Sequence, residues 1–304
     1  MNIVFMGSPD FAIPSLLKIN NSHHNIVSVV SGADKRRGRG GQTSPTPVKA
    51  KAQELNLPTI EVENLSDAAF IEQLKSLNAD LFVVVAFRIL PPAVLEIPRK
   101  GSVNLHASLL PKYRGAAPIH HAIMQGEEQT GCTVFLLDKK VDTGAVINQQ
   151  KTDIGPNETT GDVYNRLKEM GSELLLKSLD DIETEDYSTH SQDDDKATGA
   201  PKIFKDDCRV NFNHPAQQVH NKIRGLSPFP TAWAMLDGLK FNMYHSQVGP
   251  DKSLKPRQLQ MSGDELLVGC GEGAVVLEEV QLQGKKRMSG KAFMNGYSGV
   301  GMIH

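Results

Sequence analysis

Short apolar segments alternate with stretches of helical periodicity along the first 180 residues. The apolar segments predict buried strands at 2–6, 26–30, 81–86, 102–106, 133–137 and 145–150. The amphipathic stretches predict helices at 47–56, 66–78 and 159–179. Such alternation is typical of a doubly wound, mostly parallel α/β sheet, in which the ligand crevice lies at the carboxyl ends of the strands.

Side chains at the helix starts refine this prediction. Thr46 and Ser66 precede two of the predicted helices and are expected to cap them. Gly7, Ser8 and Pro9 predict a tight turn into a first helix, with Ser8 as its cap and Pro9 as its first residue. This turn lacks the second and third glycines of a dinucleotide fingerprint, so we expect neither a nicotinamide nor a flavin there.

A change in amino-acid composition after residue 179 predicts a second domain. Residues 180–200 are acidic and nearly free of apolar side chains, as expected of a solvated linker. A short strand at 209–212, a helix at 216–223 and alternating segments from residue 232 onward fit a small β-barrel. We therefore predict a first domain at 1–182, a linker at 183–202 and a C-terminal domain at 203–304.

The composition is that of a globular protein, with 304 residues of which 39% are hydrophobic. The longest apolar run, 81–87, is too short for a membrane span, and the first residues lack the basic start of a signal peptide. We expect a cytoplasmic protein with no membrane partner and, because no exposed apolar surface is evident, a monomer. The three cysteines are widely spaced, form no Cys-x-x-Cys pair and are expected in the cores: Cys132, Cys208 and Cys270.

The histidines do not predict a metal site. One hypothetical site would use His106 with His120 and His121, and another would use His23 with His24. Adjacent histidines on a helix point in different directions and cannot chelate one ion, so no metal is expected.

Positive charge is concentrated in one loop and in the C-terminal third. Residues 203–304 carry 12 Lys and Arg against 9 Asp and Glu, a net charge of +3, whereas residues 1–202 carry −5. The segment 35–42 contains four cations and three glycines but lacks the Gly-Lys-Ser/Thr end of a Walker loop. Arginines in a flexible, glycine-rich loop favour binding of the loop to the phosphates of a nucleic acid. The alternative is a solvated loop without a ligand.

Three polar residues carry the candidate chemistry. Asn104 and His106 lie two apart at the end of a predicted strand and therefore project from the same face. Asp142 follows downstream on a turn with Gly144, which can bring it to the same edge of the sheet. A structural Asn-x-His turn with a satisfied histidine is the alternative. A serine hydrolase built on Ser108, His106 and Asp142 would lack the Gly-x-Ser-x-Gly elbow.

The motifs around these residues resemble those of the methionyl-tRNA formyltransferases over essentially the whole chain. They are 4–11, 36–41, 44–49, 104–111 (Asn-Leu-His-Ala-Ser-Leu-Leu-Pro), 113–119, 141–144 (Val-Asp-Thr-Gly), 223–230 and 284–288 (Gly-Lys-Lys-Arg-Met). The Asn-x-His, Ser-Leu-Leu-Pro and Asp-Thr-Gly set resembles the wider group of enzymes that use 10-formyltetrahydrofolate. The arginine loop and the C-terminal domain narrow the resemblance to the tRNA enzyme.

The resemblance implies a Rossmann-like catalytic domain and an OB-like C-terminal barrel that helps to hold tRNA. It implies transfer of a formyl group from 10-formyltetrahydrofolate to the methionine amine of initiator Met-tRNA, with no metal. The residues that match the catalytic positions are Asn104, His106 and Asp142. Implied folate contacts are Ser108, Leu109, Leu110 and Pro111, with a pocket wall at Phe87, Arg88, Ile89 and Leu90 that is one or two residues shorter than usual in the family. Implied tRNA contacts are Arg36, Arg37, Arg39, Lys285, Lys286 and Arg287.

The chemistry of formyl transfer agrees with these residues. Attack of an amine on a formyl group passes through a tetrahedral oxyanion, which needs hydrogen-bond donors and an acceptor for the surplus proton. We expect Asn104 and His106 to stabilise the oxyanion, and Asp142 to orient His106 and relay the proton.

Two other functions remain as alternatives. A formyltransferase acting on an amino-sugar nucleotide or on glycinamide ribonucleotide would keep the donor, but it would need neither the arginine loop nor, in the purine enzyme, the C-terminal domain. An RNA-binding module without catalysis would use the cationic loop and the barrel. Formyl release that depends on folate would distinguish the enzyme from the binding module.

Overall fold

The computed structural model describes residues 1–37, 42–250, 254–297 and 301–303. The chain forms two compact units that are interleaved in sequence. Unit 1 consists of Met1–Gly115, Gly131–Thr152 and Asn165–Gly199, and unit 2 of Ala116–Thr130, Asp153–Tyr164 and Ala200–His304. The domains predicted at 1–182 and 203–304, with a linker at 183–202, stay a prediction. Two segments of unit 2, Ala116–Thr130 and Asp153–Tyr164, lie within the predicted first domain.

Seven strands form a mixed sheet in the order β5-β2-β1-β6-β7-β8-β9. The strands that the structure describes up to residue 153 are β1 (Asn2–Gly7), β2 (Asn25–Gly32), β3 (Lys35–Arg37), β4 (Gln42–Ser44), β5 (Thr59–Val62), β6 (Leu81–Val85), β7 (Ser102–His106), β8 (Gln129–Leu136) and β9 (Val146–Asp153). β5, β2, β1, β6 and β7 pair in parallel, and β8 runs antiparallel to β7. The predicted mostly parallel α/β sheet is confirmed, with β5 as a strand that the sequence pattern missed.

Eight helices lie within the described ranges. They are α1 (Ile13–Asn20), α2 (Pro47–Glu54), α3 (Ala68–Ser76), α4 (Pro92–Leu95), α5 (Pro118–Met124), α6 (Thr160–Thr184), α7 (Ala216–Gly225) and α8 (Gly290–Asn295). None of these helices is both long and apolar enough to cross a bilayer.

One predicted helix cap is confirmed and one is displaced by a residue. The Thr46 hydroxyl accepts a hydrogen bond from the main-chain N–H of Lys49, 3.1 Å away, at the start of α2. Asp67 rather than Ser66 caps α3, because its carboxylate accepts from the N–H of Phe70 at 3.1 Å. The helix consequently begins two residues later than predicted.

The predicted cap of the first helix was wrong. The chain leaves β1 into a single 3-10 turn at Asp10–Ala12, which is preceded by Pro9 and has no side-chain cap. The Ser8 hydroxyl is instead directed at the neighbouring strand, where it accepts from the N–H of Gly32 at 3.3 Å.

Unit 2 contains an antiparallel sheet in the order β10-β11-β14-β13-β12, with β15 paired to β14. Its strands are β10 (Ala232–Leu236), β11 (Leu239–Val248), β12 (Leu259–Ser262), β13 (Glu265–Gly269), β14 (Ala274–Leu282) and β15 (Met288–Ser289). The two edges of this sheet are bridged by the chain end, because Ile303 pairs with Leu236 and Met302 pairs with Gln258. This closure gives the barrel-like arrangement that was predicted.

The strand predicted at 209–212 does not form. Arg209 makes only an isolated bridge to Trp233, and the N–H of Val210 bonds to the Trp233 carbonyl. Val210 and Phe212 are buried in the core of unit 2, so their apolar character reflects burial rather than a β-ladder. The three cysteines are all buried and free, as predicted.

Candidate active site

Strand β7 places Asn104 and His106 on one face at the carboxyl edge of the sheet. Its residues pair with β6 on one side and with β8 on the other, where Asn104 lies opposite Phe135 and His106 opposite Thr133. His106 is buried, whereas Asn104 is partly exposed. Among the residues that the structure describes, none forms a hydrogen bond with the Asn104 side chain. The amide of Asn104 is therefore available to a ligand.

One nitrogen of His106 is held by the main chain. Nε2 lies 2.9 Å from the carbonyl oxygen of Tyr113. Because a carbonyl can only accept, Nε2 carries the hydrogen, and in the neutral ring Nδ1 has a lone pair. Nδ1 lies 3.7 Å from Oδ2 of Asp142, which is beyond direct hydrogen-bond distance. His106 and Asp142 thus lie close together, and Asn104 lies two residues before His106 on the same face of β7.

Asp142 lies in the turn between β8 and β9 with a left-handed backbone (φ 54°). Its Oδ2 accepts a hydrogen bond of 2.8 Å from the N–H of Gly115. Gly144 follows at a close approach to the carbonyl of Leu136, where a Cβ atom would clash with the backbone. The Asp-Thr-Gly sequence is therefore required locally, because the glycine allows the turn that presents the carboxylate.

A side chain from the predicted linker fixes this turn. Nε2 of Gln192 donates to the carbonyls of Asp142 (2.9 Å) and Gly144 (2.8 Å). Arg114 donates from Nε and Nη2 to Oε1 of Gln192, at 3.1 and 2.9 Å, and forms an ion pair with Asp194 at 2.8 Å. Sequence analysis missed Gln192, because the polar composition of its segment predicted only contact with solvent.

The Ser108–Pro111 motif is largely buried. The Ser108 hydroxyl is inaccessible to solvent and donates to the carbonyl of Lys112 at 2.6 Å, which is not the arrangement of a nucleophile. Thr133 Oγ1 donates to the Ser108 carbonyl and accepts from the N–H of Leu110. Leu109 and Pro111 are partly exposed. Any ligand contact of this motif would use these two residues or the backbone.

A cavity of about 530 Å³ opens at the carboxyl ends of β1, β2, β5 and β6. It is lined by Ser8, Gly32, Ala33, Asp34, Thr46, Val62, Glu63, Ala86, Phe87 and Arg88. Arg88 donates to the carbonyls of Val62 and Glu63, both at 2.6 Å, and its guanidinium lies 5.2 Å from the Phe87 ring. Of the predicted pocket wall, Phe87 and Arg88 line this cavity, whereas Ile89 is 74% exposed and Leu90 lies in the core.

Buried charges support one wall of this cavity. Lys49 is 7% exposed, and its ammonium forms hydrogen bonds with Glu61 and with Asp34, the latter at 2.9 Å. The hydrogen bond to Glu61 is the main cause that raises the pKa of Lys49. At neutral pH Lys49 is charged, and its hydrogen bond holds Asp34 in place at the cavity.

Comparison with known proteins identifies the family. Residues 1–179 match the family described as "Formyl transferase", and residues 202–298 match "Formyl transferase, C-terminal domain". A methionyl-tRNA formyltransferase of Porphyromonas gingivalis is 40% identical, with 98% of this chain and 96% of the relative covered. One of Chlorobium limicola is 42% identical, with the same coverage. The chain belongs to the methionyl-tRNA formyltransferases. It is a formyl-transferring enzyme.

Solved structures agree with the fold of this formyltransferase. The sugar 3N-formyltransferase WlaRD, solved with dTDP and 5-N-formyl-THF, has a TM-score of 0.69 at 18% identity and covers 94% of this chain and 99% of its own. HypX of Aquifex aeolicus, in complex with tetrahydrofolic acid, has a TM-score of 0.66 at 16% identity and covers 99% of this chain and 50% of its own. At these identities the likeness shows the fold alone.

The predicted tRNA contacts of the formyltransferase fall on two structural elements. Arg36 and Arg37 belong to β3, which pairs antiparallel with β4, whereas Arg39 lies outside the described residues. Lys285 and Lys286 are exposed in the turn between β14 and β15. Arg287 lies 3.5 Å above the Tyr244 ring and 3.6 Å from Glu279, so part of its charge is already engaged.

Unit 2 also contains a cationic aromatic cavity that sequence analysis did not predict. It has a volume of about 550 Å³ and is lined by Ala116, Ala117, His120, Lys202, Ile203, Phe204, Lys205, Cys208, Phe229, Pro230, Trp233 and Lys240. Phe204 and Phe229 are 62% and 78% exposed. The ammonium of Lys240 lies 5.3 Å from the Trp233 ring, and the Trp233 indole donates to the carbonyl of Lys205.

Proposed function

We propose that the enzyme transfers the formyl group of 10-formyltetrahydrofolate to the amino group of methionine on initiator Met-tRNA. The observation that carries the proposal is that Asp142 lies 3.7 Å from His106, whose Nε2 is anchored by Tyr113, while Asn104 shares the face of β7 with His106. Met-tRNA as the formyl acceptor is supported by the methionyl-tRNA formyltransferases named above, which are about 40% identical over nearly the whole chain. The folate derivatives in related structures support the class of donor.

The geometry supports distinct roles for the three residues. Asn104 offers an N–H donor for the oxyanion that forms when the amine attacks the formyl carbon. His106 can accept the surplus proton of the amine only at Nδ1, because Nε2–H is used by the Tyr113 carbonyl. The protonated ring then donates from Nδ1, and the proton leaves with N10 of tetrahydrofolate as the carbon–nitrogen bond breaks. Asp142 balances the positive ring from 3.7 Å.

Two cationic surfaces support an RNA acceptor. Lys285 and Lys286 project from one turn without an acidic partner among the described residues, as expected of contacts with phosphates. The cavity of unit 2 combines exposed aromatic faces with three lysines and has no carboxylate in its lining. Aromatic faces stack on unpaired bases while ammonium groups follow the backbone, so this cavity suits the single-stranded end of a tRNA.

Phe87 and Arg88, together with Leu109 and Pro111, are proposed folate contacts. Arg39 is proposed to contact the acceptor end of the tRNA. For Arg39→Ala we expect weaker or slower use of tRNA with unchanged donor binding. An unaltered rate at subsaturating Met-tRNA would contradict this role.

The deciding experiment measures transfer of labelled formyl from 10-formyltetrahydrofolate. Initiator Met-tRNA, elongator Met-tRNA and an amino-sugar nucleotide serve as parallel acceptors. Labelling selective for the initiator tRNA supports the proposal. Labelling of the amino-sugar nucleotide alone would leave the catalytic residues in place and would overturn the assignment of tRNA to the cationic surfaces.

A further inference from the structure

His23 and His24 occupy a turn at the amino edge of the sheet of unit 1. Helix α1 ends at Asn20 and β2 begins at Asn25, so neither histidine is helical. Because the pair is not helical, its two rings need not diverge. Their ring centroids are 4.2 Å apart, and the rings are tilted by 46°.

Two carboxylates of α6 face these rings. Asp180 and Glu183 are three residues apart and so lie on the same face of the helix. Nε2 of His23 lies 2.6 Å from Oε2 of Glu183 and 3.8 Å from Oδ1 of Asp180. Nε2 of His24 lies 3.1 Å from the same Asp180 oxygen, and its Nδ1 lies 3.6 Å from Oε2 of Glu183. Four side chains thus converge, although about 160 residues separate the histidines from the acids.

The charge state of the cluster suits a cation. The imidazole of His24 is fully buried, whereas that of His23 is 61% exposed. The amine of Met1 lies 2.6 Å from Oε1 of Glu183 and 3.4 Å from Nδ1 of His24. With one amine and two carboxylates, the cluster has a net charge of −1 when both imidazoles are neutral.

We propose that His23, His24 and Glu183 form a site for a divalent transition-metal ion of the Zn²⁺ class, with Asp180 beside it as the partner of Nε2 of His24. The ligand atoms of the first three residues lie within 4.8 Å of one another. A tetrahedral ion with bonds of about 2.1 Å separates its ligands by about 3.4 Å. Oε2 of Glu183 lies 2.6 Å from Nε2 of His23 and 3.6 Å from Nδ1 of His24. Two imidazoles favour Zn²⁺ or Co²⁺ over Ca²⁺ or Mg²⁺, which prefer oxygen ligands alone.

The position of the site predicts its effect. The metal would join the turn before β2 to the last turns of α6, whereas Asn104, His106 and Asp142 lie at the carboxyl edge of the sheet. Binding should therefore raise the thermal stability of the protein and leave formyl transfer unchanged.

The test uses the untagged enzyme after treatment with EDTA. Titration with Co²⁺ is followed by the visible absorption of tetrahedral cobalt, and Zn²⁺ is then added as competitor. We expect one ion per chain and a rise in Tm. His23→Ala and Glu183→Gln change partly exposed side chains and should weaken binding at least about tenfold, since loss of an outer partner alone costs that much. His214→Ala alters an exposed histidine of unit 2 that is bonded to Gln218, and it should change nothing.

Two results would overturn the proposal. The absence of stoichiometric binding would leave only a hydrogen-bonded cluster of histidines and carboxylates. Binding that both cluster variants retain would place the ion elsewhere on the protein.

Discussion

The side-chain amide of Gln192 donates a hydrogen bond to the main-chain carbonyl of Asp142, 2.9 Å away, although 50 residues separate the two in sequence. Its second hydrogen reaches Gly144, and Arg114 holds its oxygen. The turn that carries the proposed catalytic carboxylate is thus held through its main-chain carbonyls by a side chain from a distant segment. The position of Asp142 depends on a residue that need not touch either substrate.

Replacement of Gln192 should reduce turnover without abolishing folding. In Gln192→Leu the two carbonyls lose their donor, and a displacement of Asp142 by about 1 Å would lower kcat ten- to hundredfold. Steady-state kinetics with Met-tRNA measures this effect. Asp194→Asn is the matched control, because it removes only the exposed partner of Arg114 and should remain near the wild-type rate. Equal rates in both variants would contradict the positioning role.

Loss of the Asn104 amide should be the more severe change. Asn104→Ala removes one proposed oxyanion donor, and kcat should fall about 100- to 1,000-fold while binding of Met-tRNA is retained. Single-turnover formyl transfer measures the chemical step, and thermal unfolding checks the fold. A reduction of less than tenfold would exclude Asn104 as an oxyanion donor.

The turn before β15 offers a test of tRNA binding that is independent of chemistry. In the double variant Lys285→Gln, Lys286→Gln the slope of log Kd against log salt should decrease by about 2, one for each lost phosphate contact. Filter binding or anisotropy at several salt concentrations measures this slope. Lys291→Gln is the control, because Lys291 is paired with Asp264 at 2.8 Å. An unchanged slope in the double variant would place the tRNA elsewhere.

The aromatic walls of the cavity in unit 2 make a separate prediction. Phe204→Ala and Phe229→Ala should each weaken tRNA binding by about 1–3 kcal/mol if a base stacks on the ring. The KM for tRNA should rise, and the KM for the formyl donor should stay constant. Leu239→Ala, which changes an exposed apolar side chain outside the cavity lining, serves as the control. A selective change in the KM of the donor would refute the assignment.

The buried Lys49 beside the cavity of unit 1 should make the protein less stable at strongly alkaline pH. The pKa of Lys49 is raised above its ordinary 10.5, so the folded state holds this proton more tightly than the unfolded chain does. Its contribution is complete below pH 10.5 and is lost as the pH rises through the folded-state pKa. Lys49→Met should lower the free energy of unfolding by about 1–3 kcal/mol at pH 8.

Urea unfolding at a series of pH values from 8 upward tests this prediction. The free energies of unfolding of the wild type and Lys49→Met should converge as the pH rises. Lys51→Met, which removes an exposed ion pair with Glu54, should have little effect at any pH. A difference that stays constant would show that packing rather than charge explains the contribution of Lys49.

The sequence predicted those parts of the site that depend on local geometry. Residues that lie two apart on a strand project from the same face. Asn104 and His106 could therefore be placed together without any knowledge of the fold. The contribution of Gln192 could not be found in this way. Its hydrogen bonds join segments that are distant in the chain, and a polar residue in a polar segment has the same composition whether it faces water or a carbonyl.

The histidine pair shows a second limit of prediction. The sequence-based argument against a metal treated His23 and His24 as adjacent helical residues, whereas α1 ends at Asn20 and both lie in the turn before β2. Because this turn does not impose helical geometry, both rings can face Asp180 and Glu183. Similarly, the apolar pattern at 209–212 predicted a strand where the structure has only buried loop residues.

The interleaving of the two units limits how this enzyme can be recombined with its relatives. Unit 2 includes Ala116–Thr130 and Asp153–Tyr164, which lie between segments of unit 1 in the sequence. Within that unit His220 donates to the carbonyl of Pro156, and Thr160 donates to the carbonyl of Gly225. A chimera joined near residue 200 would transplant one part of unit 2 and leave the rest with the recipient. Exchange of tRNA preference between family members should therefore require three segments to be transferred together.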